Sequence, residues 1–180
     1  IRLPRILAAI LLGGALSVSG FLLQTFFGNP IAGPFVLGIS SGAKLFVAIT
    51  MIFLLNAGIE ITSLGMVAAA FIGSLIAMTV VLALSIRVRN MSVLVVCGIL
   101  VGYICSAVTD FFVTFASDSN IVNLHNWSLG SFSGTSWNDV FIIAVLIFLS
   151  LIASLFFSKP IGPYQLGENY ARNMGVNIKV

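Results

Sequence analysis

Charge is scarce in this sequence. Only 7% of its 180 residues are Asp, Glu, Lys or Arg, where ordinary soluble domains carry about 25%. With 59% hydrophobic residues and a mean hydropathy of +1.18, a water-soluble fold would have too few polar residues for its surface, so the solvent must be lipid. Histidine occurs once, as His125, and cysteine twice. Cys97 and Cys105 lie eight residues apart in one apolar run, about 12 Å of helical rise, too far for a disulfide. One histidine and no cysteine pair at ligand spacing argue against a structural metal site, and no cofactor is expected. His125 lies near Ser128, Ser131 and Ser133, but "LGSFSG" is not the G-x-S-x-G nucleophile elbow; the imidazole reads as that of a solvated loop. No glycine-rich strand-to-helix phosphate loop occurs, so nucleotide is not bound by this chain. The formal charge of +3 comes from scattered residues rather than a patch, which argues against nucleic acid.

Long apolar runs are abundant. Five reach the roughly 20 residues that a bilayer demands: residues 6–27, 35–55, 64–86, 93–116 and 140–157. Closed barrels are the other spanning solution, but their ten-residue segments alternate with period two. These runs are about twice as long and do not alternate. The expected fold is therefore all-α, a polytopic transmembrane bundle occupying residues 1–157, followed by a cytoplasmic segment at 158–180. Between the spans lie "GNPIAGP" (28–34), whose two prolines oppose helix, the short turn "NAGIEITS" (56–63), "RVRNMS" (87–92), and a polar stretch at 117–139. The last carries Trp127 and Trp137, as suits a membrane interface. The chain begins with Ile and shows no signal peptide, so it is expected to be a piece of a longer one.

Five spans place the two ends on opposite sides. One side holds Arg87, Arg89, Lys159, Arg172 and Lys179; the other holds Arg2 and Arg5 with Glu60, Asp118 and Asp139. The positive-inside rule then makes the C-terminal side cytoplasmic. Small residues recur every fourth position at Ala9, Gly13 and Ser17, at Gly38 and Gly42, and at Gly98, Gly102 and Ser106, a spacing that lets helix backbones approach in lipid. Asp110 extends the last ladder. A charge within a span costs at least ~2.5–3.5 kcal/mol, so Asp110 either lines a polar pathway with Ser106 and Gly102, or is a structural carboxylate hydrogen-bonded between helices, or lies close enough to the outer surface to be wet. Lys44, also within a span, reads as snorkelling towards the cytoplasm.

The closing stretch "QLGENYARNMGV" has a different character. Leu166, Tyr170 and Met174 recur every fourth residue on one stripe, with polar residues on the other faces. Glu168 precedes Arg172 by four, the favourable order for a helical ion pair. Gly175 suits the position just past a helix end. A short amphipathic helix is expected here, and without a basic face it is poorly suited to lying on lipid.

At this point four segments resemble permeases of the FecCD family, the membrane subunits of ABC importers for ferric siderophores, haem and cobalamin. They are "RLPRILAAILLGGALSVSGFLLQTFFGNPIAGPFVLGISSGA" (2–43), "CGILVGYICSAVTDF" (97–111), "NWSLGSFSGTSW" (126–137) and "KPIGPYQLGENYARNMGV" (159–176). The resemblance implies a multi-pass permease of the bacterial plasma membrane, working as a homodimer or heterodimer, embedded in lipid. It implies cytoplasmic ATP-binding subunits, which would hydrolyse the ATP, and an extracytoplasmic substrate-binding protein. Leu166, Gly167, Glu168, Ala171, Arg172 and Gly175 would form the segment that couples to the ATPase. Arg2 and Arg5 would dock the binding protein through its carboxylates. The substrate class expected first is a ferric siderophore, with haem or cobalamin as the alternative. An intramembrane enzyme and a purely structural membrane subunit are the rivals from other classes. Lys44 and Asp110 depart from the family's usual residues at their positions.

Overall fold

The structure, a computed structural model, describes residues 2–56, 58–59, 62–87, 91–164 and 173. The helices among them are α1 (Arg2–Phe27), α2 (Ile39–Asn56), α3 (Ser63–Ser85), α4 (Met91–Thr114), α5 (Asp118–Leu129) and α6 (Trp137–Tyr164). Each expected apolar run contains one of these helices, and the molecule is an all-helical polytopic membrane bundle. Residues 2–27, 64–85, 92–114 and 137–156 are long and apolar enough to cross a membrane. Within these spans, hydroxyls return to the helix's own carbonyls, as in Ser17 to Gly13 (2.9 Å), Thr79 to Leu75 (2.7 Å) and Ser150 to Leu146 (2.8 Å). No competing water is needed to satisfy them.

Three boundaries differ from the sequence expectation. The second span was expected from residue 35, but α2 begins at Ile39. Its apolar part, residues 39–54, rises only about 24 Å, short of the roughly 30 Å hydrocarbon core. Four of the five expected spans therefore reach spanning length among the described residues. Ahead of α2 the backbone is wound into turns, with Val36 N–H donating to Gly33 O (3.1 Å) and Gly38 N–H to Phe35 O (3.4 Å). Gly38 ends that winding with φ +74°, a left-handed conformation open to glycine at little cost. At the other end of the chain, α6 starts at Trp137 rather than Val140 and runs unbroken through position 157 to Tyr164. Finally, the polar stretch at 117–139 was expected to be irregular, yet it holds α5, and His125 is a helical residue. Ser117 precedes α5 in extended conformation, Asp118 complements its N-terminal dipole, and Gly130 (φ 72°) closes it.

Contacts divide the chain into two compact units, Ile1–Ile31 with Phe132–Val180, and Ala32–Ser131. In the first, α1 packs on α6. The first helix ends where Gly28 N–H bonds Thr25 O and Asn29 N–H bonds Gln24 O, both at 3.2 Å. The Gln24 amide then caps Pro30 O at 2.9 Å. In the second unit α2 is central, touching α3, α4 and α5. Val47, Ala48 and Met51 of α2 join Ala69 of α3 and Leu124 of α5 in one buried cluster, with Trp127 packed against it.

Glycines set the closest approaches in this second unit. A Cβ at Gly42 would fall 2.6 Å from Ala77 Cβ and 2.8 Å from Gly73 O. One at Gly98 would fall 3.0 Å from Leu37 Cα. Two of the three small-residue ladders are therefore helix contacts. Gly13, in the third, has nothing within 4 Å of such a Cβ.

Candidate functional site

Arg2 and Arg5 stand in the first turn of α1, Arg2 exposed and Arg5 half-buried, with Pro4 buried between them. Proline is tolerated there because the first turn has no carbonyl partners for its donors. Neither has a carboxylate partner among the described residues.

The α4 ladder separates on folding. Gly102 is buried against α2, where a Cβ would fall 3.3 Å from Gly38 Cα and 3.6 Å from Ser41 Oγ. Ser106 and Asp110, one and two turns on, are exposed. A four-residue step on a helix advances about 40° past a full turn, and that drift carries the strip out of the α2 contact. Thr109, beside Asp110, is the residue that faces inward, 2% exposed, with its hydroxyl on Cys105 O at 2.8 Å. Asp110 and Lys44 form no ion pair, with each other or with any other of the described residues.

Leu166, Gly167, Glu168, Ala171, Arg172 and Gly175 lie outside the described residues. His125 is exposed on α5, and Ser128 Oγ donates to its carbonyl oxygen (2.8 Å) rather than to its ring, so this pair is not a base and nucleophile. No cluster of three or more His, Cys, Asp or Glu side chains suited to a metal occurs among the described residues. An open cleft of about 530 Å³ is lined by Val80, Ala83, Leu84, Ile86 and Arg87 at the end of α3, and none of the candidate site residues borders it.

Sequence reasoning did not single out Gly73, the partner of Gly42, or the seating of α5. The signal for α5 was Asn120, Leu124 and Trp127 at helical spacing. With asparagine in the first of those positions, the stripe does not register as apolar.

The described residues thus offer packed apolar helices, two arginines at one end of α1 and scattered exposed polar positions on α4. The same fold is found in a solved structure described as a metal-chelate type ABC transporter in an inward-facing conformation. It superposes with a TM-score of 0.84 at 24% identity, covering 99% of this chain and 56% of that one. Residues 1–180 match the FecCD transport family over their whole length, and the chain belongs to that family. It is a multi-pass inner-membrane protein, and permeases of this family carry no cofactor. Among curated relatives, the hemin transport system permease protein HmuU of Yersinia pestis is 33% identical over 180 residues, covering 99% of this chain and 54% of the relative. The vitamin B12 import system permease protein BtuC of Citrobacter koseri is 35% identical over 178 residues, covering 99% and 53%. The chain spans about half the length of the curated relatives it matches.

Proposed function

We propose that this chain is part of a permease subunit of an ATP-driven importer for a metal chelate, with a ferric siderophore as the substrate. The observation that carries this reading is the family match across every residue of the chain. The permease forms half of a gated pathway and pairs with a second permease subunit in the bilayer. Cytoplasmic ATP-binding subunits supply the hydrolysis, and an extracytoplasmic binding protein delivers the chelate. Three sets of residues carry the work. Arg2 and Arg5 dock the binding protein, the segment from Leu166 to Gly175 engages the ATPase, and Asp110 with Ser106 borders the pathway. The exposure of Ser106 and Asp110 supports that last role, while the burial of Gly102 supports packing for the third member of the ladder.

Haem or cobalamin is the second reading, favoured by what the two relatives are named for. One experiment separates the substrates. The full-length permease is reconstituted in proteoliposomes with its ATPase and binding protein, and ATP-dependent uptake of a labelled ferric siderophore, haem and cobalamin is measured. Siderophore uptake above the other two supports the first reading, haem or cobalamin uptake the second, and absence of ATP-dependent uptake of any of them overturns both.

A further inference from the structure

Span hydroxyls in this chain return to their own helix's carbonyls, as at Ser17, Thr79 and Ser150. Thr109 and Thr114 of α4 do the same, at 2.8 and 3.0 Å. Three polar side chains of α4 do not. The Tyr103 and Ser106 hydroxyls and the Asp110 carboxylate have no hydrogen-bond or ion-pair partner among the described residues. All three residues are exposed, Tyr103 by 70%. Spaced i, i+3 and i+7, they fall within an arc of about 60° on one face of α4, over about 10 Å of rise. Tyr103 stands at mid-helix, twelve residues after Met91 and eleven before Thr114, where hydrocarbon would leave its hydroxyl unsatisfied. Asp110 lies four residues before that end, about 6 Å of rise, and a charge facing lipid there would be costly. Unlike the rest of the span, this face is built to meet something polar.

We propose that Tyr103, Ser106 and Asp110 form a subsite that receives the protonated amine of a cationic ferric chelate, with Asp110 as the specificity-determining residue. This rests on the importer reading above, in which Ser106 and Asp110 border the pathway, and narrows its substrate to positively charged chelates. An ammonium has three donors and no acceptor. The carboxylate takes one in a charge-assisted hydrogen bond, and the two hydroxyl oxygens can accept the others. The helix carries no Lys, Arg or His, so an anionic chelate meets a like charge on this face and no compensating cation.

The test uses three probes on one neutral ferric tris-hydroxamate core: a form with a free amine tail, its acetylated neutral form and its succinylated anionic form. Each is supplied as the saturated complex with the binding protein to the full-length permease and its ATPase in proteoliposomes. Wild-type uptake should rank the amine form over the acetylated and the acetylated over the succinylated. Asp110→Asn should lower uptake of the amine form about ten-fold, the scale of one charged hydrogen bond, and leave the acetylated form unchanged. Asp110→Glu should restore most of the loss. In a Cys97→Ala, Cys105→Ala background, Ser106→Cys should react with a charged, membrane-impermeant thiol reagent. Three results would each overturn the subsite while leaving the importer intact: equal effects of Asp110→Asn on all three forms, no wild-type preference for the amine form, or Ser106→Cys that reacts only with a lipophilic maleimide or not at all. A wild-type assembly that takes up none of the three with ATP overturns the siderophore reading and this one with it.

Discussion

Gly28 and Gly38 both hold positive φ, 55° and 74°, yet only one of them is enclosed. A Cβ on Gly28 would meet nothing within 4 Å, whereas one on Gly38 would lie 2.8 Å from Gly102 N and 2.9 Å from Gly98 O. The two sites separate two costs that glycine substitutions usually mix. Alanine in the left-handed region costs about 1–2 kcal/mol at either position. At Gly38 the added methyl also drives α4 from its seat, and overpacking of that kind adds about 1–3 kcal/mol. Gly38→Ala should therefore lower the detergent melting temperature clearly more than Gly28→Ala. Equal shifts would mean that the backbone approach of Gly38 to α4 contributes nothing to stability. The same approach explains why α2 starts where it does, since the turn at Gly38 can form only against two glycines some 60 residues further along the chain.

At the scale of the element, the start of α6 is held by a reciprocal cap. The Ser136 backbone N–H and hydroxyl both donate to Asp139 Oδ2 at 2.8 Å, while Asp139 N–H donates to Ser136 Oγ at 3.3 Å. This satisfies donors that the first helical turn leaves open. Ser136→Ala removes two of the three bonds, so the Asp139 amide should exchange with deuterium several-fold faster, while amides beyond the second turn keep their rates. Unchanged exchange at Asp139 would show that the helix start is fixed by packing instead. For the proposed coupling segment the expected failure is functional. Leu166→Asp in the intact permease should uncouple ATP hydrolysis from uptake with the membrane bundle still folded, and undiminished transport with normal ATPase assembly would remove the segment from that role. The apolar helices were legible from sequence because lipid makes apolar length the dominant signal, although the second, α2, is shorter than expected. So were the contacts of Gly38, Gly98 and Gly102, whose spacing showed on each helix separately. The seat of α5 was not, because its inward face mixes Asn120 with Leu124 and Trp127, and what buries it comes from α2 and α3. Nor was the partnership of Gly42 with Gly73, which two separate helices create. Of the candidate site, a charge within an apolar run marked Asp110, while the family resemblance marked Arg2 and Arg5. Which turn of α4 leaves the packed face depended on where α2 crosses it.

For the molecule as a whole, the telling feature is where the positive charge sits. The positive-inside rule gathers Lys and Arg on the cytoplasmic side, and under the proposed orientation, with the closing segment cytoplasmic, Arg2 and Arg5 fall on the opposite rim. That preference is then set aside at one place, and no described carboxylate compensates. Anionic lipid headgroups and a carboxylate-bearing partner are the two ligands that would repay this, and they differ in what charge reversal does. If the rim docks the binding protein, the planar guanidinium fork engages its carboxylates in bidentate pairs. Arg2→Glu with Arg5→Glu should then weaken docking to the full-length assembly, and reversing the facing acidic residues on the binding protein should restore part of it. Docking by the wild type should fade as salt rises, because rim charges are screened over about 8–10 Å near physiological ionic strength. Surface plasmon resonance on nanodisc-embedded transporter, across a salt series and in discs with and without anionic lipid, measures all of these. Docking that survives double reversal with an unchanged salt slope would assign the two arginines to lipid.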